Sequence, residues 1–218
     1  MFENLKNAIN AHFDGEAEKF TAQIDDLTIG AALDSWYWRD RMTASALKIA
    51  QGMEKGEKLP DSVKAKMLRR FSHENEKKRL ERLEKLEAAA AYSLPASFSV
   101  STEWKKSSVW GYNPTATACA SHLRTQDSAS GCGYDKGSAA MAGAFNRNPE
   151  IMRILYEHAE RGGAFPYSVH VWAGLPSFDG GCGVGCFGPV FDACGYEWRN
   201  VASGRLFDAF TCTKKAEA

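Results

Sequence analysis

From Phe2 to about Ala91 the apolar residues recur every three or four positions, and β-branched clusters are scarce, so this stretch predicts helices. Phe2, Leu5, Ile9 and Phe13 form a first stripe, which Gly15 is expected to end. Phe20, Ile24, Leu27 and Ala31 resume the spacing, and the segment from Asp34 to Met53 presents Trp38, Met42, Ile49 and Met53 toward one side. Glu54 to Pro60 reads as a loop. Asp61 or Ser62 can then cap a long last helix that runs through Leu68, Phe71, Leu80, Leu83 and Leu86 to the alanines at 88–91.

Ser93-Leu94-Pro95-Ala96 breaks this periodicity, and from Phe98 onward Gly, Ser, aromatic and alternating residues take over. A boundary near 95 follows, with a helical region over 1–94 and a second region over 95–218. In the second region Phe98 to Trp104, Trp110 to Leu123 and Tyr167 to Ala173 read as strands, and Glu197 to Val201 with Leu206 to Thr213 as a hairpin. Helices are expected over Ser138 to Phe145 and Val184 to Cys194. A third carries Asn148 as its cap, Pro149 at its first position and Gly162-Gly163 as its stop. The fold class is therefore α+β, with a largely antiparallel sheet behind a helical N-terminal region.

Composition narrows the class of protein. The chain has 218 residues, 44% of them hydrophobic and 25% charged, which suits a packed core and excludes disordered, collagen-like and disulfide-stapled chains. The start, Met1-Phe2-Glu3-Asn4-Leu5-Lys6, lacks the pattern of a secretory leader, and no apolar run has membrane-spanning length. A cytoplasmic location without a membrane partner is expected, with the six cysteines reduced. Lys plus Arg and Asp plus Glu are both 27, so no global field draws the molecule to nucleic acid. Locally the balance differs. Residues 1–60 carry seven basic and ten acidic side chains, and 61–97 nine basic and six acidic, so the last long helix carries a surplus of three positive charges. Its Arg69, Arg70, Lys77, Lys78 and Arg79 can form a solvated face or contact phosphates or an acidic partner.

Three stretches could carry chemistry. Ser130-Gly131-Cys132-Gly133-Tyr134-Asp135-Lys136 is a glycine-rich turn entering a helix, where backbone N–H groups and a lysine would favour a Cys132 thiolate. His122 or His170 would be its base, with Asp127 or Asp135 as the orienting carboxylate. The same glycines also suit a tight turn that simply packs the thiol. Gly183, Gly185 and Gly188 satisfy G-x-G-x-x-G, but no strand ends directly before them, so neither a nucleotide nor any other cofactor is expected. Cys182 and Cys186 have no second knuckle to complete a zinc site, and no metal is expected. The third stretch interleaves aromatic and basic residues: Trp104, Lys105, Lys106, Trp110 and Tyr112. Such a set can stack bases while its cations meet phosphates, or anchor a protein interface, and both imply binding rather than turnover.

The sequences Trp110-Gly111-Tyr112-Asn113-Pro114-Thr115-Ala116, Ser130 to Lys136 and Cys194-Gly195-Tyr196 resemble those of a family of proteins found in bacterial phages and mobile elements. The resemblance covers about the second half of the chain and implies no catalytic residue. It implies a setting in which small accessory proteins block host defences or manage DNA. The expectation is an accessory protein that binds a nucleic acid or a nucleic-acid-handling host defence protein, an anti-CRISPR-like inhibitor of a defence nuclease. The alternative is a cysteine-dependent hydrolase or transferase using Cys132 with His170.

Overall fold

The computed structural model describes residues 1–105, 115–120, 123–128, 134–179, 187–204 and 207–216. The protein is α+β: helices α1 (Glu3–Asp25), α2 (Ile29–Asp34), α3 (Trp36–Arg41), α4 (Ala44–Gln51) and α5 (Asp61–Ala90) precede strands β1 (Ser97–Lys105), β2 (Thr115–Ala120) and β3 (Leu123–Ser128). Helices α6 (Tyr134–Asn146) and α7 (Pro149–Glu160), strands β4 (Val169–Trp172) and β5 (Leu175–Phe178), helix α8 (Phe187–Ala193) and strands β6 (Tyr196–Gly204) and β7 (Phe207–Lys214) complete the order. No helix among the described residues is long and apolar enough to cross a membrane. The chain forms two compact units, one of Met1–Asn7 with Glu84–Ala218 and the other of Ala8–Leu83.

In the helical unit α1 and α5 run antiparallel. Their contacts pair Asp25 with Lys64, Phe20 with Phe71 and Phe13 with Asn75, so the partner number rises as the first falls. The Phe20 and Phe71 rings stack 4.0 Å apart at 3°. Around them Ile24, Leu27, Ile29, Met42, Leu59, Val63 and Met67 form the buried core. The segment from Asp34 to Met53, expected to present one helical face, is instead divided between α3 and α4, with α2 before them. Thr28 accepts from the Ala31 N–H and Thr43 from the Ala46 N–H, so each threonine starts a new helix within an apolar spacing that continues across the break.

Gly15, expected to end the first helix, lies inside α1, which continues for ten residues beyond it. The stripe of Ile9, Phe13 and Phe20 keeps packing through the glycine, and tertiary burial outweighs its low helix propensity. A Cβ placed at Gly15 meets nothing within 4 Å. Gly15→Ala is therefore expected to stabilise the protein by about 0.5–1 kcal/mol, read as a rise of about 2 °C in the thermal midpoint.

In the other unit the main sheet has the order β3-β2-β1-β7-β6 and is antiparallel throughout. The β6–β7 hairpin pairs Tyr196 with Lys214 through Gly204 with Phe207, with an irregularity between Asn200 and Ala202. Phe98, Val100, Phe210 and Cys212 are buried. Helix α6 lies against β2 and β3, and α8 against β6. Phe145 of α6, Phe178 of β5 and Phe187 and Phe191 of α8 meet edge to face at 4.8–6.2 Å. A separate hairpin, β4–β5, turns at Ala173 and Gly174, whose φ values of 49° and 79° are those of a tight hairpin turn with two left-handed residues.

Candidate functional site

On α5, the basic residues divide by what they already hold. Arg70 pairs with Glu74 at 2.9 Å and donates to the Asp40 carbonyl at 2.8 Å, and Arg79 pairs with Glu76 at 2.8 Å, which raises the pKa of its guanidinium. Arg69, Lys77 and Lys78 are exposed. The structure therefore does not make one uniform cationic face of the five. Two of them brace their own surroundings, and three point charge at solvent.

Trp104 and Lys105 end β1, where Trp104 opposes Ala116 and Lys105 opposes Thr115. Lys106, Trp110 and Tyr112 lie outside the described residues, as do Cys132, His122, the glycine-rich segment 180–186 and its Cys182 and Cys186. His170 sits on β4 with its side chain 65% exposed and its Nε2 3.0 Å from Asp179 Oδ2. It has the imidazole–carboxylate half of a catalytic set, held at a solvent-facing hairpin. Cys194 and Cys212 are buried, and desolvation pushes both thiols up to about 12, so neither is a thiolate at neutral pH. Among the described residues no group of three or more His, Cys, Asp or Glu side chains could hold a metal ion.

The third glycine of G-x-G-x-x-G has a packing reason. A Cβ at Gly188 would lie 2.1 Å from ring atoms of Trp198, so the residue is small because an indole lies on the backbone of α8.

The most exposed large aromatic among the described residues is on α3. This six-residue helix, Trp-Tyr-Trp-Arg-Asp-Arg, has no buried residue. Trp36 is 79% exposed and Tyr37 39%. The Arg41 guanidinium carbon lies 3.6 Å from the centre of the Tyr37 ring, and Arg41 Nη1 donates to the Tyr37 carbonyl at 3.0 Å. Trp38 stands edge-on to Tyr37, with centroids 4.8 Å apart at 86°, and leans its other side on Phe20. The two rings form a corner that opens onto a groove of about 640 Å³, lined also by Gln23, Asp26, Leu27 and Thr28.

Sequence periodicity placed Trp38 toward the core and passed over Trp36 and Tyr37. A signal was present. Successive residues on a helix differ by about 100°, so three adjacent aromatics span a wider arc than a short helix can bury, and at least one must face water.

No family model, curated protein or solved structure matches the chain. The arrangement of its own residues therefore carries the functional argument: an aromatic and arginine turn, a flanking groove and a few free cations.

Proposed function

We propose that this chain is an accessory binding protein that acts by holding another protein, one that handles nucleic acid, as an anti-CRISPR-like inhibitor of a bacterial defence nuclease would. The observation that supports this reading is the turn Trp36–Arg41. None of its side chains is buried, yet it is built from Trp, Tyr and Arg, the residue types that dominate the energetic centres of protein interfaces. Leaving a tryptophan in water forgoes about 2–3 kcal/mol of burial, a cost that binding a partner would recover. Arg69, Lys77 and Lys78 on α5 add exposed positive charge that can steer an acidic partner. Nucleic acid as the direct partner has less support. The net charge is zero, and of the five basic candidates on α5 Arg70 and Arg79 already hold carboxylates, which leaves three of that set to displace counterions from a phosphate chain. The setting implied by the phage and mobile-element resemblance agrees with the proposed partner.

The test is capture by the immobilised full-length chain from bacterial lysate, with and without nuclease digestion. A specific protein should be retained after digestion. Trp36→Ala should weaken its retention at least tenfold, about 1.4 kcal/mol or more, while leaving the thermal midpoint unchanged because the side chain is exposed. The double variant Lys77→Glu, Lys78→Glu should slow association and flatten its salt dependence. Loss of all capture on digestion would make nucleic acid the partner. Retention indifferent to Trp36, or an activity abolished by Cys132→Ser, would sink the proposal.

A further inference from the structure

We infer that the interface recognises an acidic surface of the partner protein, whose aspartate or glutamate side chains meet a cationic patch that α5 and the end of α3 build together. This rests on the reading of the α3 turn as an interface and names the chemistry on the partner's side. Arg70 Nη1 donates to the Asp40 carbonyl at 2.8 Å, and Lys66 Nζ to Ser45 Oγ at 3.2 Å. Lys66 and Arg70 are four residues apart on one face of α5, so both reach the segment 39–45, which carries Arg39 and Arg41 as the last-turn cations of α3. Arg69, which is exposed, stands beside Arg70 and three residues from Lys66 on the same side of the helix.

Five cations thus gather with two carboxylates, Asp40 and Glu74. Of the five only Arg70 has an ion pair, with Glu74 at 2.9 Å, and among the described residues Arg39, Arg41 and Arg69 have no carboxylate partner. Other acids of the unit are engaged elsewhere: Asp25, Asp26 and Asp34 pair with Lys64, Lys58 and Lys55. Arg41 is set before a partner arrives. Its guanidinium lies on the Tyr37 ring and its Nη1 bonds the Tyr37 carbonyl, which fixes the plane of the fork and lowers the ordering cost of a salt bridge. Trp36 begins the same helix, so an aromatic anchor and the charge that selects a partner lie on one short turn. A phosphate chain fits less well. It carries negative charge at every step, while Asp40 and Glu74 interrupt the cations, and a folded protein can place single carboxylates between them.

The probes are acetyl-tetraglutamate amide, its neutral isostere acetyl-tetraglutamine amide, and an oligothymidylate of the same charge. Binding to the full chain is followed by the NMR shifts of the Arg39 and Arg41 Nε–H groups and the Trp36 indole N–H. Tetraglutamate should give saturable shifts with a millimolar dissociation constant that weakens severalfold from low to physiological salt, and tetraglutamine should give none. The double variant Arg39→Gln, Arg69→Gln changes two exposed side chains without ionic partners, so it should weaken tetraglutamate about fivefold and leave the thermal midpoint unchanged. Lys214→Gln, an exposed charge of the other unit, should not weaken it. Equal binding of the two peptides, tighter binding of the oligothymidylate than of tetraglutamate, or equal losses in Lys214→Gln and the arginine pair would overturn the inference. If tetraglutamate binds at these arginines while Trp36→Ala leaves partner capture intact, the patch stands and the proposed interface falls. If capture depends on Trp36 while Arg39→Glu with Arg69→Glu leaves it and its salt dependence unchanged, the interface stands and the patch assignment falls.

Discussion

Replacing Arg153 by alanine is expected to cost about 3 kcal/mol of stability, at the low end of the range for breaking a buried charge pair. Arg153 is 9% exposed and uses both ends of its guanidinium. Its Nε donates to Glu157 Oε1 at 2.7 Å, and its Nη1 to the carbonyls of Ala90 and Tyr92 at 2.6 and 2.5 Å. The Ala90 carbonyl ends α5 and that of Tyr92 follows two residues on; the last turn of α5 carries no basic residue of its own, so the charge that complements this negative helix end comes from α7. The face of the Phe2 ring lies 5.5 Å away and covers the guanidinium. Alanine would leave the half-buried Glu157 carboxylate with only its longer contact to Arg161, 3.8 Å, and the Ala90 and Tyr92 carbonyls without their donor. Lysine should recover part of the loss, because one ammonium cannot reproduce the planar fork that serves Glu157 and both carbonyls.

Seven residues along, on the same face of α7, Glu160 makes the opposite contact. Its two carboxylate oxygens accept from the N–H groups of Asn4 and Leu5, each at 3.1 Å, at the positive start of α1. One helix thus presents a cation to a helix C-terminus and an anion to a helix N-terminus, two turns apart. Chemical denaturation measures the loss in Arg153→Ala. Faster amide exchange at Asn4 and Leu5 in Glu160→Gln would report the other contact separately. An unchanged midpoint in Arg153→Ala would show that solvent satisfies the α5 carbonyls without help.

Which parts of the fold could be read from the chain depends on where each constraint resides. Asn148-Pro149 predicts the start of α7 because a side-chain cap is a local event, and Asn148 Oδ1 accepts from the N–H groups of Glu150 and Ile151 at 3.1 Å. The β6–β7 hairpin and β1 were legible through alternation. Strand β5 was not, because Leu-Pro-Ser-Phe contains a proline and its turn is Ala-Gly rather than Asn-Gly. Tertiary partners make that strand possible. Pro176 opposes Val171 in the hairpin, and the side-chain amide of Asn146 donates to the Phe178 carbonyl and accepts the Phe178 N–H, standing in for a further strand. The candidate site divides in the same way. The basic residues of α5 were visible, but whether each was free depended on Asp40, Glu74 and Glu76 in the folded chain. The groove at Tyr37 joins residues from α1, α3 and the segment between them, a juxtaposition that spacing along one helix cannot express.

Gly188→Val is expected to destabilise the protein by about 3 kcal/mol or more, and Gly188→Ala by about 2 kcal/mol. The alanine Cβ would sit 2.1 Å from Trp198 Cε2 and Cζ2 and 2.5 Å from Cδ2, inside the ring's van der Waals surface. The indole is backed by Phe210, whose ring centroid is 5.3 Å away and whose side chain is buried, so retreat means opening the sheet core beneath β6. Alanine's better helix propensity returns about 1 kcal/mol at most, too little to offset the clash. A glycine kept so that a phosphate could approach its backbone would behave differently, because alanine there would lower ligand affinity and leave the folded protein intact. The double-mutant cycle with Trp198→Leu separates the two. Shortening the ring should make Gly188→Ala nearly neutral, a coupling of about 1–2 kcal/mol in denaturant unfolding. Additive losses would place the reason for the glycine away from Trp198.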